Sequence, residues 1–300
     1  MAKRGAAKTE EPTSEVESLY FKSDSAYLCL VLNRRTQFIR VIDFRAGALP
    51  SKRLYIQSVA KREGVRKVIT LVEKDEVSSW TRVGFVREGT IPGFYKRSDG
   101  HLCGCVIDSE ASSIEVTDEA QKLAERTINA AKKEARNIPD VIKGATCYEI
   151  DAVYGYEFRD EALASNDALH TFDPFGRDAE RIFYQVTMKD TSTNVLSAEY
   201  QDCFGHALVE MLYAPEEPNE VIAATAGLRA LCDDLTARGI VAGFSFIPVD
   251  DVETSTAYIA AGFRKTGLLA EGILVRGERK DAILYTRKLA NPGEDEPLEG

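Results

Sequence analysis

The sequence predicts an α/β protein made of two related units, and three observations carry that prediction. Apolar runs of strand length alternate with amphipathic stretches of helix length along most of the chain. Its 300 residues exceed what one hydrophobic core usually organises, so two cores are expected. One order of features also occurs twice: a helix closed by glycine, an apolar strand, a short helix closed by Gly-Phe, and a further glycine five residues on. In the first half these are Gly64, Val68 to Val72, Gly84-Phe85 and Gly89; in the second they are Gly239, Val241 to Val249, Gly262-Phe263 and Gly267. The strand-to-helix spacing differs by three residues, which fits a diverged duplication and not an array.

Taken in order, residues 1–18 read as a polar tail. AYLCLVL (26–32) and FIRVIDF (38–44), split by NRRT, predict a hairpin. A helix follows from Ser51 to Glu63 with Gly64 as its stop, then the strand KVITLVE (67–73). The alanine-rich stretch 116–139 has Ala120, Leu123, Ala124, Ile128 and Ala131 at helical spacing and ends at Pro139, so it reads as a connector. Residues 140–180 give no clear pattern, after which strands are expected at 182–188, 195–202 and 206–213. The stretch 218–239 is the clearest helix, with Asn219 as cap, an apolar stripe from Val221 to Leu235, and Gly239 as its end. The domains are therefore 19–115 and 140–290, with an acidic tail at 291–300.

Composition narrows the function classes. With 44% apolar and 29% charged residues the chain is neither fibrous nor disordered throughout. Lys and Arg number 38 against 48 Asp and Glu, a net charge of −10 that repels phosphate backbones and anionic lipid. Neither nucleic acid nor a membrane is an expected partner. The basic N-terminus lacks an apolar core, so no signal peptide is read there. Six cysteines are too few for a disulfide scaffold, and the expectation is a reduced, cytoplasmic protein.

Two segments carry a family resemblance. AYIAAGF (257–263), after a helix-strand unit and before a closing strand pair, resembles the second half of the GNAT superfamily of N-acetyltransferases. GFVREGTIPGFYKRSDG (84–100) resembles the N-terminal part of β-lysine N-acetyltransferases. The resemblance implies two GNAT-like units with mixed, mostly antiparallel sheets flanked by helices, the N-terminal one truncated or degenerate. It also implies acetyl-CoA as cofactor and a small amino-acid-like amine as substrate; a homodimer is compatible with it.

Acetyl transfer to an amine requires a held pyrophosphate, a polarised carbonyl, a neutral amine and a proton for the departing thiolate. Tyr258, four residues before Gly262, stands where the family has its general acid; the matching residue of the first half is Trp80, whose indole cannot supply that proton. Glu210, in HALVEMLY, is the expected base, and strand alternation puts it on the face of Leu208 and Leu212. Backbone amides of 206–213 would polarise the carbonyl. Glu199, in SAEYQD, is a second candidate base, and Glu199 and Arg177, the latter in the loop Pro174-Phe175-Gly176-Arg177, are the expected substrate contacts. Leu212, Ala214, Val221, Ala223 and Asp251 are the expected cofactor contacts, Asp251 serving equally well as a helix N-cap.

The pyrophosphate loop departs from the family's pattern. APEEPNEVIAAT (214–225) lacks its glycines and basic residue, Pro218 removes a donor, and Glu216, Glu217 and Glu220 add negative charge. A second class of function therefore stands beside the enzyme: an inactive GNAT-fold binding or assembly module. No metal is expected, because His101, Cys103 and Cys105 lack a second ligand pair, and Asp202, Cys203 and His206 are too close in sequence to converge as a triad.

Overall fold

The computed structural model describes residues 15–24, 26–45, 47, 49–108, 114–201 and 204–290. Residues 1–14 and 291–300, most of the two expected tails, lie outside the described residues, as do Asp202 and Cys203. The first half runs β1 (Val16–Lys22), β2 (Tyr27–Asn33), β3 (Phe38–Asp43), α1 (Leu49–Arg62), β4 (Lys67–Val72), α2 (Val77–Arg82), β5 (Val86–Ile91) and β6 (Gly100–Val106). After α3 (Asp118–Ala135) and β7 (Ala145–Ile150) come α4 (Ala152–Ser165), β8 (Glu180–Met188), β9 (Asn194–Gln201) and β10 (His206–Met211). The chain then continues through α5 (Pro218–Ala237), β11 (Ala242–Pro248), α6 (Val252–Ala260), β12 (Arg264–Val275) and β13 (Glu278–Lys288).

Among the described residues all thirteen strands join one sheet in the order β1-β2-β3-β4-β6-β5-β12-β13-β11-β10-β9-β8-β7. Pairing is antiparallel except between β3 and β4 and between β10 and β11, the pairs bridged by the crossover helices α1 and α5. Equivalent hydrogen bonds recur in the two halves. The N–H of Phe85 donates to the Trp80 carbonyl at 3.2 Å, and that of Phe263 to the Tyr258 carbonyl at 3.0 Å. Ile107 donates to Arg66 at 2.8 Å, as Leu289 does to Val241 at 2.7 Å. Even the rings repeat, Trp80 edge-on to Phe85 at 4.9 Å and Tyr258 edge-on to Phe263 at 5.0 Å.

The halves meet where Gly89 of β5 faces Gly267 of β12. A Cβ on Gly89 would lie 3.0 Å from the Gly267 Cα, and one on Gly267 only 2.5 Å from the Glu88 carbonyl oxygen. The glycines that mark the sequence repeat are thus the ones that let the two edges approach. Helices α3, α5 and α6 cover one core, with Leu228, Leu231, Tyr258 and Tyr285 inside it. Trp80, Ile56, Val41 and Leu30 belong to the core of the first half. A third cluster joins Ile69, Leu71 and Leu102 to Leu208, Phe244 and Phe246. In a flat sheet β4 and β10 would stand about 29 Å apart at roughly 4.8 Å per strand, so the sheet curls until its halves face each other.

Several expectations need correction. The first strand begins at Val16, inside the expected tail, because Leu19 and Phe21 alternate onto the first core. The unread stretch holds β7 and α4; Asp151 caps α4 by accepting from the Val153 N–H at 2.8 Å, and Asn166 ends it in the left-handed region. The N-cap of α5 is Glu217, while Asn219 lies inside the first turn behind Pro218. The connector helix α3 buries Ala124 and Ile128 in the second core. Among the described residues, no helix is long and apolar enough to cross a membrane.

Candidate functional site

β10 and β11 pair only from His206 to Leu208 against Ala242 to Phe244. Beyond Phe244 they carry on to Met211 and Pro248 without further pairing, which opens a wedge between them. Two rings fill it from opposite faces. Tyr258, buried completely, donates its phenolic proton to the Val209 carbonyl at 3.0 Å and accepts from the Ser245 hydroxyl at 3.1 Å. Burial pushes the phenol far above its ordinary pKa, against the pull of the Ser245 hydrogen bond. From the other face His170 bridges the strands, with Nδ1 at 2.8 Å from the Met211 carbonyl oxygen and Nε2 at 3.0 Å from that of Phe246. Nδ1 serves the Met211 carbonyl when it carries a proton and accepts the Met211 N–H, 3.2 Å away, when it does not.

Next to His170, Glu210 reaches the concave face of the sheet with Leu208, as alternation requires. It is not a lone carboxylate. Arg181 of β8 lies opposite Glu199 of β9 and holds both acids, with Nη1 at 2.6 Å from Glu210 and Nη2 at 2.7 Å from Glu199. Arg181 also donates to the Ser197 hydroxyl and the Asp173 carbonyl. Glu199 accepts the backbone N–H groups of Phe175 and Gly176, the latter at 2.6 Å. Burial raises the Glu210 carboxyl and Arg181 pulls it back; burial likewise opposes the charge on Arg181, which Glu210 and Glu199 nevertheless hold above its ordinary range.

The residues expected to contact the cofactor divide into two groups. Ala214 and Asp251 come together on one cleft, where Asp251 caps α6 by accepting from the Thr254 N–H at 2.8 Å. Val221 and Ala223 face the second core. Leu212 packs in a separate cluster with Phe172 and Phe183; its N–H donates to Val195 and its carbonyl accepts from Leu169.

Acetyl-CoA does not fit this arrangement. A phosphate at a helix start needs free N–H groups and no competing anion. Here the Glu220 carboxylate accepts from the backbone of Glu216 at 2.9 Å and of Glu217 at 3.3 Å, and from the Ser192 hydroxyl at 2.6 Å. Those donors, Ser192 foremost, hold the Glu220 carboxyl below its ordinary range. The adjoining cleft is lined by six carboxylates and two cations, Arg276 and Lys280.

Arg177 stands apart from the buried acids: it is half-exposed, pairs with Asp178 at 2.6 Å and donates to the Tyr20 hydroxyl. Cys103 and Cys105 are buried, and burial pushes their thiols up to about 12 and about 11. His206 is buried too, stacked on Phe94, and burial takes its imidazole down to about 3. Among the described residues no group of three or more His, Cys, Asp or Glu side chains is placed to hold a metal ion.

Sequence reasoning missed His170, Arg181, Asp173 and Arg40. For Arg181 a signal existed: two acids facing one side of neighbouring strands require a cation, and an arginine inside an apolar strand supplies it. Nothing local marked Arg40, which crosses from β3 to give Nη1 to the Phe175 carbonyl, or Asp173, which accepts from Asn33 and Arg35 of the other half.

No family model matches the sequence, and no curated protein matches it. Among solved structures, it is similar to a spermidine N-acetyltransferase from Vibrio cholerae in complex with CoA and spermine, at 12% identity and a TM-score of 0.39, over 50% of this chain and 98% of that one. The ribosomal-protein-S18-alanine N-acetyltransferase from Escherichia coli is similar at 16% identity and a TM-score of 0.36, over 51% and 99%. A ribosomal L7/L12 alpha-N-protein acetyltransferase in complex with coenzyme A gives 15% and 0.38, over 51% and 97%.

Proposed function

We propose that this chain is a GNAT-fold binding module: two acetyltransferase-like units, related by duplication, fused through one sheet, with the acyl-donor seat of the second closed by the chain's own side chains. The observation that carries this reading is the His170 ring bridging Met211 and Phe246 across the wedge. Glu220 at the start of α5 supports it, because an internal carboxylate already uses the donors a pyrophosphate would need. The matched hydrogen bonds of the two halves support the duplication.

A second reading, favoured by the Tyr258 hydroxyl lying inside the wedge, is an N-acetyltransferase for a small amine. In it Tyr258 would be the acid, Glu210 the base, and Arg177 and Glu199 the substrate contacts. Release of free thiol from acetyl-CoA, measured with a panel of diamines and amino acids, decides between them. The module reading expects no amine-dependent thiol release. Turnover that Tyr258→Phe abolishes would establish the second reading instead.

A further inference from the structure

The loop between α4 and β8 leaves a cavity of about 100 Å³ against strands of both halves, room for several waters or one small organic ligand. Two guanidinium groups line it, Arg40 of β3 and Arg279 of β13. Each keeps its Nε buried without a hydrogen-bond partner. Among the described residues neither lies within salt-bridge distance of a carboxylate. Arg40 gives Nη1 to the Phe175 carbonyl at 3.3 Å and stacks 4.4 Å over the Phe175 ring. Arg279 donates to the carbonyls of Glu271, Thr36 and Gln37.

A buried guanidinium, Arg40, and a half-buried one, Arg279, whose direct partners are neutral carbonyls are a costly arrangement, with Glu199 and Glu271 acting on them only from beyond ion-pair distance. Burial brings both down to about 10. The acids on the same wall do not relieve it, because they are already matched: Asp173 accepts from Asn33, Thr171 and Arg35, and Glu210 from Arg181. The cavity's unmet demand is therefore for an anionic acceptor. Leu208, Phe246 and Ile273 form an apolar part of its wall, beside the polar Asn33, Thr36, His170 and Thr171.

We propose that this cavity binds a small carboxylate, its oxygens taken by Arg40 and Arg279 and its short hydrocarbon part by Leu208, Phe246 and Ile273. The class follows from the chemistry. A planar carboxylate matches a guanidinium edge and carries one charge, whereas a phosphate dianion would add a second charge beside Asp173 and Glu210. The inference rests on the module reading and adds the ligand that the module would take. It moves the expected substrate contact from Arg177 to Arg40 and Arg279.

Titration calorimetry with butyrate tests it, with butylamine and inorganic phosphate as comparators, on the intact chain and on Arg40→Met, Arg279→Met and Arg177→Met. Saturable butyrate binding that weakens at least tenfold in Arg40→Met and Arg279→Met and persists in Arg177→Met supports the proposal. Absence of saturable binding for carboxylates from acetate to hexanoate overturns it. So does binding that survives in both Arg40→Met and Arg279→Met, or tighter binding of butylamine or phosphate. If Arg40→Met does not fold, Arg279→Met decides. Amine-dependent thiol release from acetyl-CoA is read separately, so failure of the module reading is distinguishable from failure of carboxylate binding.

Discussion

The carboxylate of Glu220 lies 2.9 Å from the backbone nitrogen of Glu216 and accepts its N–H. This relationship places a built-in anion at the start of α5, where the helix dipole and unpaired amides favour negative charge. Glu220→Gln should lower stability by about 1 kcal/mol, read from urea unfolding. Because donors hold the folded carboxyl below its ordinary value, its contribution is complete above about pH 4.3 and is lost as pH falls through the lower folded value. The variant should show a flatter acid limb than the parent, and an unchanged acid limb would remove Glu220 from this role.

Arg181 should be the more damaging position. Arg181→Met leaves Glu199 and Glu210 buried without their shared cation, which costs on the order of 3–5 kcal/mol. Replacing all three with apolar residues of similar volume should cost much less than the single change. Denaturant midpoints of the single and triple variants check this, and equal losses would contradict it.

At the seam, Gly267→Ala should destabilise by about 1–3 kcal/mol, since its Cβ would meet the Glu88 carbonyl oxygen at 2.5 Å and the Gly89 Cα at 2.7 Å. Gly277→Ala has open space but φ +80, so its cost is strain at an exposed turn and should be smaller, near 1 kcal/mol. Thermal unfolding of the two variants orders them.

Tyr258→Phe separates a packed tyrosine from a working acid. The change leaves the Val209 carbonyl and the Ser245 hydroxyl without their partner inside the core, and a loss of roughly 1–3 kcal/mol is expected. A variant as stable as the parent would show that the phenol is not held as described.

Much of the fold was legible because local signals agreed with each other. The hairpin of 26–44, the crossover helix 218–237 and the repeated glycines follow from apolar period, turn residues and left-handed stops. Residues 140–180 were opaque because β7 is an edge strand with few buried residues and α4 has no strong apolar stripe, so neither leaves a clean period. The site was half legible. Glu199, Glu210 and Tyr258 could be singled out by residue type and position, but their partners come from distant segments. Arg181 is 29 residues from Glu210, and Val209 is 49 from Tyr258, separations that only the sheet topology resolves. Arg177 was chosen for its motif, yet the buried cation beside Phe175 is Arg40, brought from the other half by the curl of the sheet.

The central claim is that the chain's own side chains occupy the acyl-donor seat, and titration of acetyl-CoA into the intact chain measures this directly. No saturable heat and no shift in thermal midpoint are expected at millimolar acetyl-CoA, whereas a ligand at 100 times its dissociation constant would add about 2.7 kcal/mol. Saturable single-site binding, weakened by substitutions along 212–220, would contradict it.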